Sequence, residues 1–162
     1  MKRTLLALML VAVFVGGCHL LVHIPQSAFL SRFSLERSVE QIAYKGVNKS
    51  PGPGARIGGD VGMGGGTMGA RGAKASLSSA TAFMINQEGD NRFIESEFME
   101  ALTAQIKKEI EDNQATITGI GRPASSEFYV EYKDGSVSGR ITISGSAAEE
   151  YYVLRAKVDE SS

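Results

Sequence analysis

The spacing of apolar residues changes once along the chain, from a helical period to a strand period, and this switch restricts the fold more than any other feature. Over residues 93–112, Ile94, Phe98, Ala101, Leu102, Ile106 and Ile110 recur at three- and four-residue steps, which marks one broad face of a helix. Glu95, Glu97 and Glu100 fall in its first half and Lys107 and Lys108 in its second, the order that the helix dipole favours. Four segments with period two follow. Residues 115–121 are the weakest, because strict alternation puts Ile117 and Ile120 on opposite faces. Residues 127–133 set Phe128, Val130 and Tyr132 against Tyr129, Glu131 and Lys133, and Asp134-Gly135 then signals a two-residue hairpin turn. Residues 136–145 set Val137, Ile141 and Ile143 against Ser138, Arg140, Thr142 and Ser144. After a polar turn at 146–149, the last segment sets Tyr152, Leu154, Ala156 and Val158 against Tyr151, Val153, Arg155 and Lys157. A sheet that is apolar on one face must be covered there, and the preceding helix is the obvious cover. The expected fold class is α+β, with one amphipathic helix packed on a four-stranded antiparallel β-meander.

Upstream of this unit the composition changes sharply. Most of the chain's 19 glycines fall between Asn48 and Lys74, including Pro51-Gly52-Pro53-Gly54 and Gly64-Gly65-Gly66. Such a stretch offers few side chains to bury and much backbone entropy to lose, so a flexible linker is expected over 48–79. Gly64, Gly66 and Gly69 have the spacing G-x-G-x-x-G, but a dinucleotide site needs that spacing between a strand and a helix, and here glycine lies on both sides. Residues 80–86 read either as a strand at a sheet edge or as more linker, and 87–91 as a turn. Before the glycine tract, Ser34 fits a helix N-cap, with Leu35, Val39, Ile42 and Ala43 on one side and Gly46 placed to end the helix.

The first residues have their own plan. Met1-Lys2-Arg3 is a basic start, Leu5 to Val15 is apolar, and Gly16-Gly17 precede Cys18, the single cysteine. Basic, apolar and small residues in that order form a secretory signal. Val15-Gly16-Gly17-Cys18 resembles the lipobox of bacterial lipoproteins: an aliphatic residue, two small residues, then the modified cysteine. The resemblance covers only the first eighteen residues. It implies a lipid on the Cys18 sulfur, cleavage before Cys18, and a cell-envelope location, outer membrane where there are two. More than one acyl chain is needed for a stable anchor. A second reading stays open, because His19-Leu20-Leu21-Val22-His23-Ile24 prolongs the apolar run until Pro25, and residues 4–24 are long enough to span a bilayer uncleaved. The expected layout is a signal peptide at 1–17, a membrane-proximal tether with a short amphipathic helix at 18–47, the linker at 48–79, and a small α+β domain at 80–162.

Chemistry is sparse. His19 and His23 are the only histidines and both adjoin the anchor, so no metal site is expected, since two ligands four residues apart hold a metal weakly. The domain therefore lacks the usual bases and nucleophiles of acyl transfer, and neither a catalytic residue nor a cofactor is expected. Loss of Lys2 and Arg3 would shift the formal charge from −1 to −3 (−1 − 2), which gives no footprint for nucleic acid. The one candidate partner-binding face is the polar side of the strands, with Tyr129, Glu131, Arg140, Arg155 and Lys157; taken alone, these residues read first as an ordinary solvated face with cross-strand pairs. The expectation is a lipid-anchored, non-catalytic envelope module that binds a protein or glycan or serves a structural role. The alternatives are an envelope hydrolase or inhibitor-type module built on carboxylates or serines, and a single-pass subunit of a membrane complex.

Overall fold

The computed structural model describes residues 26–48 and 74–162. The signal segment, Cys18, both histidines and residues 49–73 of the glycine tract, with its G-x-G-x-x-G spacing, lie outside the described residues. In chain order the elements are α1 (Ala28–Arg32), α2 (Leu35–Gln41), β1 (Val47–Asn48), β2 (Lys74–Ile85), a 3-10 turn (Gly89–Asn91), α3 (Glu95–Asp112), β3 (Thr116–Ala124), β4 (Glu127–Asp134), β5 (Val137–Ala148) and β6 (Tyr151–Ser161). The strands form one antiparallel sheet in the order β1-β2-β6-β5-β4-β3. The class is α+β, as the period switch implies.

The sheet has five long strands rather than four, with the two-residue β1 beyond them. β2 starts at Lys74, six residues before the expected domain boundary at 80, and pairs with β6 from Lys74↔Ser161 to Met84↔Tyr151 without a break. Its serines and alanines give little hydrophobic contrast, which is why pattern alone left it ambiguous. The expected tether is also redrawn. Phe29, Leu30, Phe33 and Leu35 belong to the same buried cluster as α3 and the sheet. Ser34 caps α2 as its sequence suggests, its Oγ accepting from Arg37 N–H at 3.3 Å, and Gly46 follows with φ +86°. Ala43 on the expected apolar side is exposed.

All three helices lie on one face of the sheet. Phe98, Met99, Leu102, Ile106 and Ile110 of α3 meet Phe128, Val130 and Tyr132 of β4, Ile141 and Ile143 of β5, and Tyr152, Leu154 and Val158 of β6 in one core. Ile94 stands outside it as the N-cap of α3. Phe83, Phe93, Phe98 and Tyr152 form an aromatic group with ring centroids 4.8–6.3 Å apart. Two turns differ from their signals, the first by one residue and the second because β5 continues three residues further, to Ala148. The β4–β5 loop is Gly135-Ser136, with Asp134↔Val137 closing it and Gly135 at φ +59°, so glycine takes the first central position. The β5–β6 loop is Glu149-Glu150, with Glu149 at φ 54°. In β3, a bulge between Ile117 and Gly119 pairs Ile117 with Tyr132 and Ile120 with Val130, both inward-facing. The extra residue thus brings to one side two isoleucines that strict alternation separates, of which Ile117 packs on the core while Ile120 stays 48 % exposed.

Candidate functional site

Because the helices cover one face, the other face of the sheet is open, and cross-strand registers set its side chains in rows. One row runs Ser76–Asp159–Arg140–Glu131–Gly119, the next Ser78–Lys157–Thr142–Tyr129–Gly121, and the third Ala80–Arg155–Ser144–Glu127–Ala124. All five residues expected on a partner-binding face lie here. Their surroundings divide them into two groups.

Tyr129, Glu131 and Arg140 satisfy one another. Arg140 donates from Nε to Glu131 Oε1 at 3.0 Å and again from Nη2, and its guanidinium lies 4.7 Å from the centre of the Tyr129 ring. The Glu131 hydrogen bonds hold the Arg140 guanidinium above its ordinary range. Both partners stay solvated, so this cluster orders the face more than it stabilises the fold. Gly119 and Gly121 of β3 make room for it, since a Cβ there would collide with the Glu131 carboxylate and the Tyr129 ring.

Lys157 and Arg155 lie one strand away on β6. Lys157 pairs with Asp159 at 2.7 Å. Arg155 forms no ion pair among the described residues, although it is exposed and flanked by Ser144 on β5 and Ala80 on β2. A groove of about 660 Å³ passes over these positions, lined by Ser78, Thr142, Ser144, Arg155 and Lys157 and also by the carboxylates of Glu127 and Asp159. It offers hydroxyl and guanidinium donors over a floor of small side chains, beside an ammonium already paired with a carboxylate, a polar surface of mixed charge in which Arg155 is the cation without an ion pair among the described residues. Among the described residues, no group of three or more His, Cys, Asp or Glu side chains could hold a metal.

A second polar centre went unanticipated. Glu160 is 1 % exposed on the helix side of β6. Its carboxylate accepts from Ser27 N–H at 3.1 Å and from the hydroxyls of Ser27 and Tyr132. Ser27 in turn caps α1, its Oγ accepting from Leu30 N–H at 2.9 Å, and Asp134 accepts from Ala28 N–H at 3.0 Å. Burial, then the hydrogen bond to Glu160, raises the Tyr132 phenol far above its ordinary range. The signal was present in the sequence: inward parity through Tyr152, Leu154, Ala156 and Val158 continues to Glu160. With every donor around it matched, this centre is a structural clasp for the N-terminal segment, not a reactive group. A similar but less enclosed pair is Tyr152 with Glu95, whose other oxygen accepts from Ser125 Oγ at 3.1 Å.

No family model, no curated protein and no solved structure matches this chain.

Proposed function

We propose that the chain is a lipid-anchored protein of the bacterial cell envelope, held at the membrane through Cys18, whose domain is a non-catalytic binding module using the open face of its sheet. Where the organism has two membranes, the outer one is the proposed site. One observation carries the binding reading: the helices cover a single face, and the opposite face presents a donor-rich groove with an exposed arginine that has no ion pair among the described residues. The lipobox resemblance of Val15-Gly16-Gly17-Cys18 carries the anchoring.

Two measurements test the parts separately. Mass analysis of the mature N-terminus is expected to find acylated Cys18 as the first residue, and an intact Met1 with unmodified Cys18 would replace the lipid anchor by a spanning helix. A photo-crosslinker placed at Thr142 on the open face should capture an envelope partner in living cells, whereas one at Lys108 on α3 should not. Equal capture from both positions, or none from Thr142, would defeat the binding reading.

A further inference from the structure

The two long edges of the sheet are built differently. An edge strand exposes unpaired N–H and C=O groups that can template another strand, and proteins blunt such edges with bulges, prolines and charge. β3 carries all three. Its pairing with β4 breaks between Ile117 and Gly119 and again between Gly121 and Ala124, and it contains Arg122 and Pro123. β2 carries none of them from Ala75 to Ala82, a run of Ala, Ser, Leu and Thr paired to β6 without a bulge. On its other side, among the described residues, β1 covers only Met84 and Ile85.

The direction of the free groups follows from the ladder. Ile85 N–H donates to Glu150 O on the β6 side at 2.8 Å, and Asn86 N–H donates to Gly46 O on the opposite side at 2.8 Å. Alternation along the strand therefore points the N–H and C=O of Ser76, Ser78, Ala80 and Ala82 away from β6. The side chains of Ser76, Ser78 and Ala80 lie on the open face, where Ser78 and Ala80 line the groove, whereas Ala82 is buried. Ala80 is directly opposite Arg155 and Ser78 opposite Lys157. At the upper end, Glu36 and Glu40 of α2 line a crevice beside Thr81, which limits an acidic occupant to positions up to Ala80.

We propose that the edge of β2 left unpaired among the described residues takes up an extended segment of a partner protein as an added strand, and that Arg155 selects an acidic side chain on it. This rests on the binding-module reading and specifies its partner. Main-chain hydrogen bonds to Ser76, Ser78 and Ala80 hold the segment, and side-chain chemistry gives its specificity. Backbones two strands apart are separated by roughly 10 Å, a gap that an arginine and a glutamate close together over the small Ser78 and Ala80. A second copy of this chain fits the edge less well, because β2 brings no acidic side chain of its own to Arg155.

The test uses the full chain in detergent and two labelled synthetic peptides, one alternating valine with glutamate and the other valine with lysine. The glutamate peptide is expected to bind, and more weakly as salt is raised. A80P removes an edge N–H that the β6 ladder does not use, so the domain should still melt cooperatively while peptide affinity falls about tenfold or more. R155E, at an exposed position, should reverse the preference towards the lysine peptide, and it decides the matter if A80P does not fold. Unchanged binding by folded A80P, equal binding of both peptides, or no reversal in R155E would overturn the proposal. So would a dimer of the wild-type chain that A80P dissolves, which would assign the edge to a second copy. If Thr142 still captures a partner in cells while A80P leaves that capture unchanged, the binding module stands and the strand addition does not.

Discussion

Glu160 shows how one side chain can decide where a segment far away in sequence rests. A buried carboxylate is tolerated only when its acceptor capacity is used, and here Ser27 and Tyr132 supply three donors from opposite ends of the chain. E160A removes the common acceptor and leaves those donors without a partner, so it should cost roughly 2–4 kcal/mol in chemical denaturation. Amide exchange should rise first at Leu30, whose N–H depends on Ser27 Oγ. Tyr132 and Tyr152 add a pH dependence of definite sign. Burial raises both phenols above their ordinary value near 10, with hydrogen bonds to Glu160 and Glu95 adding to the shift. Above about pH 10 the unfolded chain releases those protons while the folded chain keeps them, so stability is intact below that pH and declines as pH rises through it. Unfolding midpoints measured across this window should fall, less steeply in Y132F once its own baseline loss is subtracted. A midpoint that stays level would show that these phenols ionise in place.

At the scale of elements, how legible each piece was depended on whether side-chain contrast or backbone geometry defined it. α3, β4, β5 and β6 could be read because large apolar side chains mark their inward positions, and Phe128, Val130, Ile141, Ile143, Leu154 and Val158 are all buried as their parity requires. β2 was obscured by small residues of nearly uniform polarity, and β3 by a bulge that no alternation rule contains. The open polar face was legible as a list of five residues. Which of them are satisfied locally was not, because that depends on registers between strands far apart in sequence. The end of α3 is a further case. Gln114 sits at φ 62° and donates to Glu111 O at 2.8 Å, while Ala115 N–H returns to Ile110 O at 3.1 Å. This is a Schellman closure with glutamine where glycine is usual. Q114G relieves a left-handed conformation that costs an ordinary residue about 1 kcal/mol, so the melting temperature should rise; an unchanged or lower value would mean that glycine's added freedom in the unfolded chain outweighs the relief.

For the whole molecule, the position of the glycine tract changes its meaning. A linker between anchor and domain would let the domain range away from the membrane. Residues 27–48 instead contribute α1, α2 and β1 to the same core as residues 74–162, so the tract joins β1 to β2 within the domain. Only residues 19–26 separate Cys18 from the clasped Ser27, a reach of at most about 32 Å. If Cys18 carries the anchor, the domain is therefore held close to the bilayer. A protease site inserted between Gly64 and Gly65 separates this arrangement from a simple tether. After cleavage, the fragment bearing α3 and β2–β6 should remain with the membrane, because Phe29, Leu30, Phe33 and Leu35 still dock it to the anchored fragment. It should leave in denaturant, and more readily from E160A, where the clasp is missing. Release of the fragment under native conditions would mean that the N-terminal segment does not hold the domain and that the tract acts as the spacer its composition suggests.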